Sequence, residues 1–170
     1  MKVFVIGTGR CGSVTFSKAC EHIEGYTAGH ESHNGHVGNY RYDDNHIEVD
    51  PRLSYSLPML IKQNPDALFV HLYRNAGECI ASLAKRDSLK KYAAFHFGAS
   101  TINISHVASI YYNNTVGMIR HMLKDIIVNS MEINLATVQD QWPAFLERIN
   151  AEPDDKQYEM LSQKFNQAKL

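Results

Sequence analysis

The sequence predicts an α/β fold with three layers, a mostly parallel sheet flanked by helices. Three observations carry this. Two apolar runs, Val3-Phe4-Val5-Ile6 and Ala67-Leu68-Phe69-Val70-His71-Leu72-Tyr73, are close to continuous rather than alternating, which is how strands covered on both faces read. Segments with helical spacing of apolar residues separate the extended ones. A glycine-rich turn, Gly7-Thr8-Gly9-Arg10-Cys11-Gly12, joins the first run to a helix. The 170 residues suit one domain, 1–170, and 44% hydrophobic residues suffice for an ordinary core.

Residues 2–7 form the first predicted strand. The helix after the turn opens with Ser13 and Thr15, buries Val14, Phe16, Ala19, Cys20 and Ile23, and stops at Gly25. A short strand is expected over 26–29. Residues 30–46 are polar, turn-rich and rich in histidine, and read as a long functional loop. A brief extended piece covers 47–49. Pro51 fits the first turn of a helix reaching Ile61, which Pro58 would kink or interrupt. Asn64-Pro65-Asp66 is a turn, 67–73 the second strong strand, and a helix follows to about Arg86 with Ile80 and Leu83 facing inward. Residues 88–101 fit more than one pattern, among them a small helix that lays Tyr92, Phe95 and Phe97 over a ligand. A long helix is expected over 102–127, a last strand over 130–135, a helix over 137–150 built on Trp142, Phe145, Leu146 and Ile149, and a polar terminal helix within 152–170.

Composition excludes several classes. A net charge of −1 speaks against a general polyanion binder, so no nucleic-acid partner is expected. No stretch has the length of a membrane span. The three cysteines are widely spaced and odd in number, and the amino terminus lacks a secretory pattern. A reducing, cytoplasmic setting follows as the expectation, with the sequons at Asn103 and Asn113 read as chance.

The chemistry concentrates in three places. Strand, glycine turn and helix present backbone N–H groups and a positive helix end to a phosphate, and Arg10 adds a fork of donors. Gly7 and Gly12 have the spacing of GxxxxGK[ST], and Ser13 follows, so the fold is P-loop-like, but the lysine is missing. That favours a single phosphate at this loop over a triphosphate, and a tight strand–helix turn without a ligand is the bland alternative. Secondly, Arg74 stands just past the end of a strand, where open α/β sheets bind ligands. Ser82 follows about two helical turns later and Arg86 one turn beyond. Together they suit a second phosphate, the alternative being a surface arginine and an incidental serine.

The third place is His30-Glu31-Ser32-His33-Asn34-Gly35-His36. It should lie at the same sheet edge as the glycine loop. A metal site from His30, His33 and His36 competes with an acid–base role, but the spacing is not i, i+4 and no second ligand cluster is evident, so no metal is expected. A solvated loop that binds an acceptor is the other alternative.

The pair of phosphate stretches resembles the sulfotransferases that use 3′-phosphoadenosine 5′-phosphosulfate (PAPS). Arg10-Cys11-Gly12-Ser13-Val14 is similar to their 5′-phosphosulfate loop. Val70-His71-Leu72-Tyr73-Arg74 with Ser82 is similar to their 3′-phosphate strand, loop and helix, with the same Arg-to-Ser spacing. In outline the resemblance covers 2–31 and 67–150, with Tyr112-Asn113 and the run from Glu132 through Trp142 as weaker matches. It implies a cofactor site of Gly9, Arg10, Cys11, Gly12, Ser13, Val14, Thr15, Arg74 and Ser82, with PAPS as donor and adenosine 3′,5′-bisphosphate (PAP) as product. Cys11 replaces a usual serine, and Val14 stands where a second hydroxyl is common, so that either Thr15 compensates or the contact is lost. The family's late glycine-rich nucleotide loop is not apparent. The resemblance also implies catalytic roles for Arg10 on the leaving group and for Glu31 as base, with His30 or His33 as alternatives, and a small-molecule or glycan acceptor. A P-loop kinase or NTPase and a non-catalytic nucleotide-binding module are the competing functions. Tyr111-Tyr112 reads as core or pocket wall, and Lys85-Arg86 and Lys90-Lys91 as solvated charge.

Overall fold

The structure is a computed structural model that describes residues 1–33, 41–97, 103–125 and 129–163. Five strands form one sheet: β1 (Val3–Ile6), β2 (Thr27–His30), β3 (His46–Val49), β4 (Leu68–Tyr73) and β5 (Ser130–Asn134), in the order β2-β3-β1-β4-β5. Among the described residues every pairing is parallel. Both faces must then be covered, which explains why β1 is buried at every position and carries no alternation.

One face packs under α1 (Ser13–Cys20), α6 (Val138–Arg148) and α7 (Asp155–Ser162). Val3, Val5, Val70 and Leu72 meet Phe16, Trp142 and Phe145 there. Phe16 stands edge-on to Trp142, with ring centroids 5.3 Å apart. The buried Trp142 indole donates to Gln157 Oε1 at 2.9 Å, and Gln157 Nε2 donates to the carbonyls of His22 and Glu152. A single buried amide therefore ties α7 to the body of the domain.

The other face packs under a 3₁₀ turn (Pro51–Ser56), α2 (Leu57–Gln63) and α5 (Ile104–Asp125). Phe4, Ile6 and Phe69 meet Leu53, Leu57, Leu60 and Ile119. Pro58 does not kink a helix. The chain runs as 3₁₀ up to Ser56, and Pro58 falls in the first turn of α2, where its missing N–H has no partner to lose. A third cluster joins α3 (Ala76–Ala84) and α4 (Asp87–Phe97) to α5 through Cys79, Leu83, Leu89, Val107, Tyr112 and Val116.

Several boundaries move inward. The first helix stops at Cys20 rather than Ile23, because His22 and Ile23 bond three residues back to Ala19 and Cys20 in tighter turns. The helix expected over 137–150 is preceded by a 3₁₀ turn (Leu135–Thr137). Residues 88–97 do lie on a helix, α4, where the Phe95 side chain is 84% exposed. The side chains of Tyr92 and Phe97 are outside the described residues, as are 34–40, 98–102, 126–128 and 164–170 with the readings made for them, His36 included. Among the described residues no helix is long and apolar enough to cross a membrane.

The chain order places the site. After β3 the chain crosses from one side of β1 to the other to make β4. Strand order reverses around β1, and the crevice beyond the carboxyl ends of its neighbours is where such sheets take ligands. The glycine turn leaves β1 into that crevice.

Candidate functional site

The loop from Gly7 to Gly12 is held in a conformation the sequence makes costly. Gly9, Arg10 and Gly12 have φ of +74°, +58° and +96°. Left-handed turns of this kind are the raw material of anion-binding concavities. For Arg10, which has a Cβ, the conformation costs on the order of 1 kcal/mol or more. Gly12 is required twice, since a Cβ there would also lie 2.3 Å from Leu135 Cδ2. Gly12 is the N-cap of α1 and supplies no side-chain cap, so the first N–H groups of the helix face the crevice without a capping oxygen of their own.

Arg10 reaches across the crevice. Its Nε donates to Ser82 Oγ on α3 at 3.0 Å, and Arg74 Nη1 donates to the Arg10 carbonyl at 3.4 Å. The two predicted phosphate grips are thus contiguous, with Arg10 spanning both. Arg74 also pairs with Glu78. Burial first, then the nearby charges of Arg86 and Arg74, hold the Arg10 guanidinium below its ordinary value. Three like charges near one another repel, and an anion between them would relieve that repulsion.

The remaining loop positions divide by direction. Ser13 Oγ is 3.1 Å from His30 Nε2. Thr15 does not compensate for Val14: its hydroxyl donates to the carbonyl of Gln163 at 3.4 Å, at the end of α7. The Cys11 side chain is buried against Gly7 in the core, and burial, reinforced by neighbouring Cys79, pushes its thiol up to about 12. The Cys11 side chain is therefore turned away from the crevice.

The candidate base divides as well. Glu31 adopts φ +54° just past β2 and pairs with Arg52 Nη2 at 2.9 Å. Arg52 also holds the buried Asp50 carboxylate through Nε at 3.2 Å and its own N–H at 2.8 Å. To take a proton, Glu31 would have to release a charge-assisted bond. His30, one residue earlier, already contacts the loop serine. His33 packs on the Tyr42 ring, with centroids 5.3 Å apart. Among the described residues no group of three potential metal ligands comes together.

Several supporting residues carry no signal in their local sequence. Arg52 follows Asp50-Pro51 and reads as a solvated helix start, until β2–β3 pairing brings Glu31 beside it. Ser54 Oγ donates to the Gly7 carbonyl at 2.8 Å. The Cys79 thiol donates to the Gly9 carbonyl at 3.3 Å and lies 3.3 Å from Thr8 Oγ1. Tyr111 and Tyr112 each donate to a backbone carbonyl of the site, Thr8 at 3.2 Å and Arg74 at 3.3 Å. Three residues before Arg74, on β4, fully buried His71 bonds Glu132 through Nδ1 at 2.9 Å, and Arg120 bonds the same carboxylate at 2.7 Å. A hollow of about 390 Å³ at the α6–α7 junction, lined by Pro143, Leu146, Glu147 and Asn150, contains none of these residues.

No family model matches the chain, and no curated protein matches it by sequence. Among solved structures, the sulfotransferase domain from the curacin biosynthetic pathway superposes with a TM-score of 0.74 over 95% of this chain and 78% of that one, at 10% sequence identity. At that identity the match speaks for architecture: this chain has the fold of a sulfotransferase domain.

Proposed function

We propose that this protein is a sulfotransferase that moves a sulfuryl group from PAPS to a hydroxyl or amine of a small-molecule or glycan acceptor. The observation that carries the reading is Arg10 bonded to Ser82 on one side and to Arg74 on the other, which suits one ligand bearing two nearby anionic groups. Arg74 and Ser82 would take the 3′-phosphate. Gly9, the backbone of Cys11, Gly12, the Ser13 hydroxyl and the N–H groups of Val14 and Thr15 would take the phosphosulfate end.

PAPS, when bound, supplies an activated sulfuryl group on a good leaving phosphate. The acceptor oxygen or nitrogen forms a bond to sulfur, the bond from sulfur to the phosphate oxygen breaks, and PAP leaves with that electron pair, by analogy with phosphoryl transfer. Arg10 and the loop N–H groups, already fixed, stabilise charge developing on that phosphate. His30 receives the acceptor proton. It is favoured over Glu31 because its Nε2 sits against Ser13 in the loop, while Glu31 is committed to Arg52. Glu31 then acts by tying the turn that follows His30 to Arg52.

The kinase reading requires a carboxylate free to hold Mg²⁺. Asp50, at the end of the strand beside β1, spends Oδ1 on Arg52, which weighs against it. The cysteines are all free and buried, in keeping with a reducing, cytoplasmic setting. The test is PAP release from PAPS, followed by chromatography, over a panel of sugar, phenol, alcohol and amine acceptors. Acceptor-dependent PAP release that His30→Gln abolishes supports the reading. Binding of PAP with no transfer to any acceptor would favour a non-catalytic module.

A further inference from the structure

Neighbouring tyrosines on α5 reach different segments of the site. Tyr111 Oη donates to the Thr8 carbonyl in the glycine loop, and Tyr112 Oη donates to the Arg74 carbonyl at the exit of β4. Consecutive helical residues point about 100° apart, so one rigid helix can hold two separate strand ends at once. The Tyr111 hydroxyl is itself oriented, because Tyr55 Oη donates to it at 2.7 Å. Accepting that bond leaves its own proton for Thr8, and such chains strengthen one another. Burial, with Tyr55 adding to it, pushes the Tyr111 hydroxyl well above the ordinary tyrosine value, so it remains a neutral donor. Below the pair, α5 is fixed against α3 by Val107, Tyr112 and Val116 on Cys79 and Leu83.

We infer that Tyr111 and Tyr112 are positioning residues that hold the two phosphate grips in place, Tyr111 the glycine loop through the Thr8 carbonyl and Tyr112 the second grip through the carbonyl of Arg74, and that Tyr112 thereby sets selectivity for a 3′,5′-bisphosphate over a monophosphate. The inference rests on the nucleotide reading above. Neither hydroxyl has to touch the ligand. Each acts through a main-chain oxygen whose displacement would move Arg10 or Arg74 relative to the other.

The test is calorimetric titration of wild type, Tyr111→Phe and Tyr112→Phe with PAP and with adenosine 5′-phosphate. Phenylalanine keeps the ring and the packing, and thermal melts of the three proteins report on the fold separately. Losing one such bond is expected to weaken binding by about three- to tenfold. Tyr112→Phe should weaken PAP by that factor and leave the monophosphate unchanged, so the selectivity ratio falls. Tyr111→Phe should weaken both ligands alike. Such a result reports on selectivity, which a loss of general stability would not alter. If wild type binds PAP and Tyr112→Phe keeps the wild-type ratio, the inference is overturned while the nucleotide reading stands. If wild type does not bind PAP, the nucleotide reading fails and takes this inference with it.

Discussion

Arg10 Nε and Ser82 Oγ are 3.0 Å apart although 72 positions separate them in the chain. The bond joins the glycine loop after β1 to the second turn of α3, and it makes the two anion-binding segments a single surface. Ser82→Ala should therefore act on both ends of a bound nucleotide. Removing this partner of Arg10 is expected to raise the PAPS concentration needed for half-maximal rate about tenfold, with a smaller change in kcat. Initial-rate kinetics against PAPS check this. An unchanged KM would mean that Arg10 needs no support from α3.

His30 and Glu31 are adjacent in sequence but are held differently. His30→Gln should lower kcat by about 10²- to 10⁴-fold, the usual worth of a general base, while PAP affinity measured by calorimetry stays near wild type. Glu31→Gln should cost much less in kcat, because it weakens the Arg52 clamp without removing the proton acceptor. The reverse ranking of the two variants would restore Glu31 as the base.

Much of this was legible in the amino-acid order. β1 and β4 announce themselves by unbroken apolar runs, since parallel strands with both faces covered need no alternation. The glycine turn and Arg74 were visible because ligand-holding residues in such sheets sit at strand exits. The direction of each side chain was less accessible. Sequence position alone offers Thr15 for the hydroxyl missing at Val14, yet the phase of α1 aims it at Gln163. Arg52, Cys79 and Tyr112 act on the site from 21 to 70 positions away from the atoms they bond. Such contacts exist only once the strands have paired, and no local pattern encodes them.

Gly12→Ala should be destabilising. The substitution places a Cβ at φ +96° and 2.3 Å from Leu135, so backbone strain of about 1–2 kcal/mol adds to a steric clash. The melting temperature is expected to drop by several degrees. Adding Leu135→Ala should relieve the clash and recover part of that loss, leaving the strain. No recovery in the double variant would show that strain alone sets the cost.

The His71–Glu132–Arg120 cluster predicts acid sensitivity. Burial holds the His71 imidazole below its ordinary value of 6.5, against the opposing pull of Glu132. Burial alone would raise Glu132, but the bonds from Arg120 and His71 outweigh it and hold the carboxyl below 4.5. In both cases the unfolded chain binds protons more readily than the folded one. Their contribution is complete above the unfolded values. It falls away first from His71 as pH drops below about 6.5, then from Glu132 below about 4.5. His71→Phe removes the first step, so its melting temperature should fall less than wild type's between pH 7.5 and pH 5.5. Parallel curves for the two proteins would contradict this.

The central claim is that Arg10, Arg74 and Ser82 hold one nucleotide carrying two phosphates, and calorimetric titration of wild type and Arg74→Ala with PAP tests it most directly. The account predicts one site per chain in wild type and affinity at least tenfold weaker in Arg74→Ala, the scale of a lost bond to a charged group. Equal affinity in the two proteins would contradict it.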